Sequence, residues 1–158
     1  MDDVVRAAFA DFSSPGRLQV VGRDPLTILD AAHNPSGAES LVTALKDTFG
    51  SPYAIAVVSI LAEKDARSLL ETLDGSFAKF VITQSSSPRA IPAQELARIA
   101  VDLFGADRVS VQANPQWAIA EAALNLPADR PSAIVVTGSI TLVGEVLKLK
   151  QIEAEQDA

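Results

Sequence analysis

The chain has 158 residues, 48% of them hydrophobic and 21% charged, which is the balance of a globular protein with one sizeable core rather than of a disordered segment. Thirteen Lys and Arg against twenty acids leave a net charge of −7, so a nucleic-acid surface, which needs several cations on one face, is excluded. Cysteine is absent, which removes disulfides, thiolate metal sites and a cysteine nucleophile.

The opening "MDDVVRAAFADF" is acidic where a signal peptide is basic, and no apolar run reaches the roughly 18 residues of a membrane helix. A soluble, cytoplasmic protein is expected. Residues 2–11 carry a short helical pattern (Val4, Val5, Ala8, Phe9), and "SSPG" turns the chain. "RLQVV" reads as a strand, "RDP" as a turn, and "LTILDA" as a second strand. From Pro35 to Phe49 the residues Ala38, Leu41, Val42, Leu45 and Phe49 fall on one helical face. Asn34 is a good cap for that helix, Pro35 suits its first position, and Gly50 closes it.

The rhythm continues. "YAIAVVSIL" reads as a strand buried on both faces, followed by a helix over 65–73. "FAKFVITQ" is the next strand, "SSSPRAIP" a loop, and 92–104 a helix ending at Gly105. "RVSVQ" is a short strand. "NPQWAIAEAALNL" repeats the Asn-Pro helix start, with Trp117 expected to pack against the sheet. "SAIVVTG" is the last buried strand, and "SITLVGEVLKLKQIEAEQ" a helix that frays into a polar tail. Alternation of this kind predicts a Rossmann-like α/β fold: an open, mostly parallel six-stranded sheet with helices on both faces. The connection between the first two strands is so tight that they are expected to run antiparallel.

In such sheets ligands sit at the carboxyl ends of the strands. That edge is expected to carry Asp30, His33 and Asn34; Glu63, Lys64 and Asp65; Ser85, Ser86, Ser87 and Arg89; and Thr137, Gly138 and Ser139. There is no G-x-x-x-x-G-K-[ST] phosphate loop and no G-x-G-x-x-G, and no second histidine could join His33 in a zinc site. The residues alone therefore describe half of an active site.

Four motifs in order do resemble a known family. "PGRLQVVGRDPLTILDAAHNPSGAESL", "LAEKD" at 61–65, "SPRAIPAQEL" and "VVTGSITLVGEV" resemble the C-terminal domain of the folylpolyglutamate synthases, the folate branch of the Mur ligase superfamily, over about residues 14–147. The resemblance implies that residues 14–158 form a Mur-ligase-type C-terminal domain. It makes 1–13 the end of an inter-domain linker and a first helix, with Met1 either native or an added start. It places the phosphate loop, the magnesium ligands and most of the folate site in a central ATPase domain absent from this chain, and it suggests a monomer.

It also implies an ATP-dependent amide ligase that activates a folate carboxylate as an acyl phosphate, which the amine of L-glutamate then attacks; dihydrofolate synthase activity stays open. In this reading Arg17 and Asp30 match positions that contact ATP, while His33 and Ser139 match positions associated with the incoming glutamate. Arg17 can clamp phosphate oxygens through two hydrogen bonds. Asp30 is acceptor-only, which suits a ribose hydroxyl or the ordering of a loop better than a phosphate. A neutral His33 can orient or deprotonate the amine, and Ser139 at a helix head can hold a carboxylate. Lys64 and Arg89 are the remaining cations through which a polyanionic substrate would dock. No metal ligand is assigned within the chain.

Every one of these residues has a structural alternative: Asp30 bracing a turn, His33 bonded to nearby backbone, Lys64, Asp65 and Arg89 as solvated loop charges, Ser139 as a plain helix cap. Two other readings remain at this stage. One is a sibling ligase domain from peptidoglycan synthesis, against which P-G-R with D-A-A-H-N-P and the G-S-x-x-x-V-G ending argue. The other is a non-catalytic α/β interaction module. On the ligase reading the chain alone is expected to be inactive.

Overall fold

The computed structural model describes residues 17–157, so the helical pattern of 2–11, the Pro15-Gly16 turn and the linker reading of 1–13 lie outside the described residues. Six strands form one sheet: β1 (Gln19–Arg23), β2 (Leu26–Asp30), β3 (Tyr53–Val58), β4 (Lys79–Ile82), β5 (Val109–Val111) and β6 (Ser132–Thr137). The helices are α1 (Pro35–Phe49), α2 (Ala66–Leu73), α3 (Ala93–Phe104), α4 (Pro115–Leu124) and α5 (Ile140–Gln156). The strand order is β1-β2-β6-β3-β4-β5, with only β1–β2 antiparallel. The expected six-stranded, mostly parallel α/β sheet is therefore what the chain forms. No helix among the described residues is long and apolar enough to cross a membrane.

Local chemistry explains most boundaries. Asn34 accepts from the Gly37 N–H at the head of α1, Pro35 occupies its first turn, and Gly50, at φ 70°, donates back to Leu45 and Lys46. Asn114 and Pro115 repeat the device on α4, where the Asn114 side chain accepts from the Trp117 N–H. The expected "RLQVV" strand is displaced toward the C-terminus. Leu18 stands at φ 48°, outside any strand conformation, so the β1 ladder opens at Gln19 and runs to Arg23. "YAIAVVSIL" leaves the sheet after Val58, because Ile60 pairs instead with Ile91 on the neighbouring loop.

The strands are buried from both sides. Alternate residues Ile28, Ala56, Val58, Phe80 and Val135 pack with α1, α2 and α3; Leu29, Ile55, Val57, Ile134 and Val136 pack with α4 and α5. Trp117 departs from its expected place: it is 63% exposed. The helix lays Ala118 and Ala122 on the sheet, and the position before Ala118 is rotated about 100° away from that contact.

Candidate functional site

Because β2, β6, β3, β4 and β5 are parallel, their carboxyl ends share one edge, and antiparallel β1 brings its N-terminal end there too, Gln19 facing Leu29. The loops leaving β2 and β3 lead to helices on one face, whereas the loop leaving central β6 leads to α5 on the other. A crevice beside a strand whose connection switches face is where open α/β sheets bind ligands.

Arg17, Asp30 and His33 meet there. They line one hollow of about 310 Å³ together with Asn34, Ser36, Gly37 and Ser40 from the head of α1. Asp30 ends β2 half-buried, with Oδ2 accepting the Leu18 N–H at 3.1 Å and Oδ1 the Ala32 N–H at 2.9 Å. Burial raises its carboxyl above the ordinary value, although both backbone bonds and the Arg17 charge pull the other way. Nδ1 of His33 lies 3.0 Å from the Ala31 carbonyl oxygen. A carbonyl only accepts, so Nδ1 carries the proton in this contact and the neutral ring keeps its lone pair on Nε2. That is the tautomer an amine-facing base requires.

The other expected residues are placed differently. Lys64 is half-buried in the turn after β3, its N–H bonded to Leu61. Arg89 pairs with Glu63 at 2.7 Å, both side chains well exposed, so the pair contributes little to stability. These two loops are laced together by the Leu61–Ala90 bridge and by the bonds from Ala62 to Arg89 and from Ile91 to Ile60. Ser139 is fully buried, and its oxygen caps α5 by accepting the Leu142 N–H at 3.2 Å. It lies outside the lining of the hollow. Asp65 caps α2, accepting from the Ser68 N–H and hydroxyl, and those bonds hold its carboxyl below the usual range. Among the described residues, no group of three or more His, Cys, Asp or Glu could hold a metal ion.

Two supporting contacts were not expected, one of them made by a glycine already placed on this edge. Gly138, at φ 105°, donates to the Ala32 carbonyl at 3.0 Å and so ties the β6 loop to the Asp30–His33 loop. A glycine after the last buried strand was the available signal. Glu145 on α5 accepts both the N–H and the hydroxyl of Ser86, at 2.6 and 2.5 Å, fastening the serine-rich loop to the helix. A pairing across 59 residues leaves no local trace in the sequence.

The family and the fold are recognisable in known proteins. A family model described as the glutamate ligase domain of Mur ligases matches residues 16–140. The dihydrofolate synthase/folylpolyglutamate synthase of Mycobacterium tuberculosis is 37% identical over 154 residues, covering 90% of this chain. The match spans only 31% of that relative, so the chain corresponds to about a third of its length. A crystal structure of Mycobacterium tuberculosis folylpolyglutamate synthase complexed with ADP and AMPPCP superposes with a TM-score of 0.82 at 37% identity, covering 95% of this chain and 35% of that one. A bifunctional folylpolyglutamate synthase/dihydrofolate synthase with Mn, AMPPNP and L-glutamate bound superposes with a TM-score of 0.73 at 31% identity, covering 87% and 32%. That of Yersinia pestis complexed with AMPPNP and Mn ion gives the same score and identity, covering 87% and 31%.

Proposed function

This chain belongs to the Mur ligase family, glutamate ligase domain, and from that premise we propose that it is the C-terminal wall of the ATP and glutamate cleft of a folylpolyglutamate synthase. Residues 14–158 are then the C-terminal domain and 1–13 the end of a linker. One observation carries the reading: a cation at 17, an acid at 30 and an imidazole at 33 line one hollow at the carboxyl edge of the sheet. Structural bracing alone does not require all three there. The sequence has no phosphate loop, so the hollow is one wall of a site that a central ATPase domain completes. The described residues hold no metal-binding cluster, and we place the magnesium ligands in that domain.

On the nucleotide side stand Arg17, whose guanidinium clamps phosphate oxygens, and Asp30. On the amine side stands His33, whose Nε2 lone pair takes a proton from the glutamate ammonium and leaves the amine free to attack. Lys64 and Arg89 serve the carboxylates of glutamate and folate, whereas the fully buried Ser139 caps α5 and is dropped as a substrate contact. Arg89 docks an anion by exchanging its contact with Glu63. ATP, L-glutamate and a folate are the substrates, and the protein is cytoplasmic and monomeric.

Glutamate-dependent phosphate release from ATP and a folate tests this. The chain alone should release none; joined to the central domain of a folylpolyglutamate synthase it should turn over. In the joined protein Arg17→Ala should lose on the order of 100-fold in kcat/KM for ATP, the scale of two charge-assisted hydrogen bonds. His33→Ala should lose about 10²–10⁴-fold in kcat, the scale of general base catalysis. Release by the chain alone, or variants as fast as the parent, would overturn the proposal. Turnover of a peptidoglycan precursor in place of a folate would move the chain to the sibling branch.

A further inference from the structure

We infer that Asp30 is a positioning residue: by holding the N–H groups of Leu18 and Ala32 with its two oxygens, it sets Arg17 and His33 on the same hollow. The nucleotide and amine sides of the reaction then depend on one carboxylate. This inference rests on the ligase reading above and deepens it.

The geometry at each end explains why a latch is needed. The β1–β2 ladder begins at Gln19 opposite Leu29, so Leu18 lies just beyond the last sheet pairing. Its side chain is buried in the core, and its backbone stands at φ 48°, a region leucine enters only when its surroundings hold it there. Its N–H is taken by the side chain of Asp30, 12 residues along the chain, in place of a ladder partner. Arg17 is the next residue outward, so its backbone position is inherited from that bond. At the other end, the bond from Ala32 to Oδ1 folds the chain just after β2 into an aspartate turn. The carbonyl within that turn is Ala31, the one that meets Nδ1 of His33 and selects its tautomer.

The support is mutual. The Arg17 charge lowers the proton affinity that burial raises on Asp30, helping to keep the carboxylate ionised and both N–H bonds strong. Gly138 secures the same turn from the opposite side through the Ala32 carbonyl. Each carboxylate oxygen has further lone-pair capacity, so a ribose contact by Asp30 is a separate question that the test must distinguish.

The experiment uses the ligase formed by this chain and a central domain, with Asp30→Asn, Arg17→Ala and the double variant, on ATP and on 2′,3′-dideoxy-ATP. Asparagine keeps the shape but turns one acceptor into a donor facing an N–H. Asp30→Asn should raise KM for ATP and for glutamate together and lower kcat/KM on the order of 10²-fold, the scale of a small displacement of reacting groups. On the dideoxy nucleotide, which has no ribose hydroxyls to lose, Asp30→Asn should still lose kcat/KM, and the double variant should lose less than the product of the single losses. A glutamate KM left unchanged while only the preference for ATP over the dideoxy nucleotide is abolished makes Asp30 a ribose contact alone and overturns the inference.

A second measurement needs no variant. In the chain itself, the amide proton resonances of Leu18 and Ala32 should titrate together with the Asp30 carboxyl as pH falls; amides that ignore that titration refute the latch. A parent ligase with no activity sinks the ligase reading instead, and the amide titration then decides the latch alone.

Discussion

Replacing Gly138 by alanine tests the junction that joins β6 to the candidate site. Gly138 sits at φ 105°, where an L residue costs about 1–2 kcal/mol. A Cβ placed there would press into the Ser59 carbonyl oxygen and lie 3.1 Å from Val58 Cγ1 and 3.3 Å from Ile60 Cγ1. The carbonyl belongs to backbone that cannot rotate away, so the end of β3 must shift, which adds about 1–3 kcal/mol. Against this, alanine narrows the unfolded ensemble by about 0.4–1 kcal/mol. The net loss is roughly 2–4 kcal/mol, and with about 2–4 °C per kcal/mol for a domain of this size Tm should fall by about 5–15 °C.

The control is Gly144→Ala, six residues further on. Gly144 lies inside α5, exposed, with nothing within 4 Å of an added Cβ. There alanine should stabilise by about 0.5–1 kcal/mol through helix propensity. Thermal unfolding followed by circular dichroism reads both variants. If the two substitutions shift Tm in the same direction, the account of Gly138 as a forced close approach fails.

The remaining predictions concern Asp30 and Trp117. Burial raises the Asp30 carboxyl above 3.8, so the folded state holds that proton more tightly than the unfolded chain does. Its contribution to stability is therefore fully present below pH 3.8 and is lost as pH rises through the folded-state value. Urea unfolding across that window should show the parent losing stability relative to Asp30→Asn as pH rises; a gap that moves the other way refutes the assigned cause. Trp117→Ser should leave Tm within about 2 °C of the parent, the scale of an ordinary surface substitution. A loss of the size seen for core aromatics would restore Trp117 to the sheet contact that its 63% exposure denies it.

The sequence by itself determined the elements and the rim. Apolar spacing of 3.6 and unbroken apolar runs are local properties, so helices such as Pro35–Phe49 and strands such as Ser132–Thr137 were legible, with Asn34 and Gly50 marking the ends of the former. Asp30 and His33 were legible too, because they sit where a strand end and a helix start must meet, whereas Arg17 came only with the family resemblance. Tertiary structure alone decided the rest. Any strand can pair with any other through the same backbone groups, so nothing local says that β6, last in the chain, lies between β2 and β3.

That placement brings Gly138 against Ser59 and Ala32, and it buries Ser139 at the head of α5, where the sequence offered only a polar residue at an edge. The left-handed Leu18, the fastening of Ser86 by Glu145 and the exposed Trp117 likewise depend on what the chain meets far along its length. Periodicity assigns a residue to a face; only packing determines which side chains share that face, and how much of its charge a carboxylate keeps there.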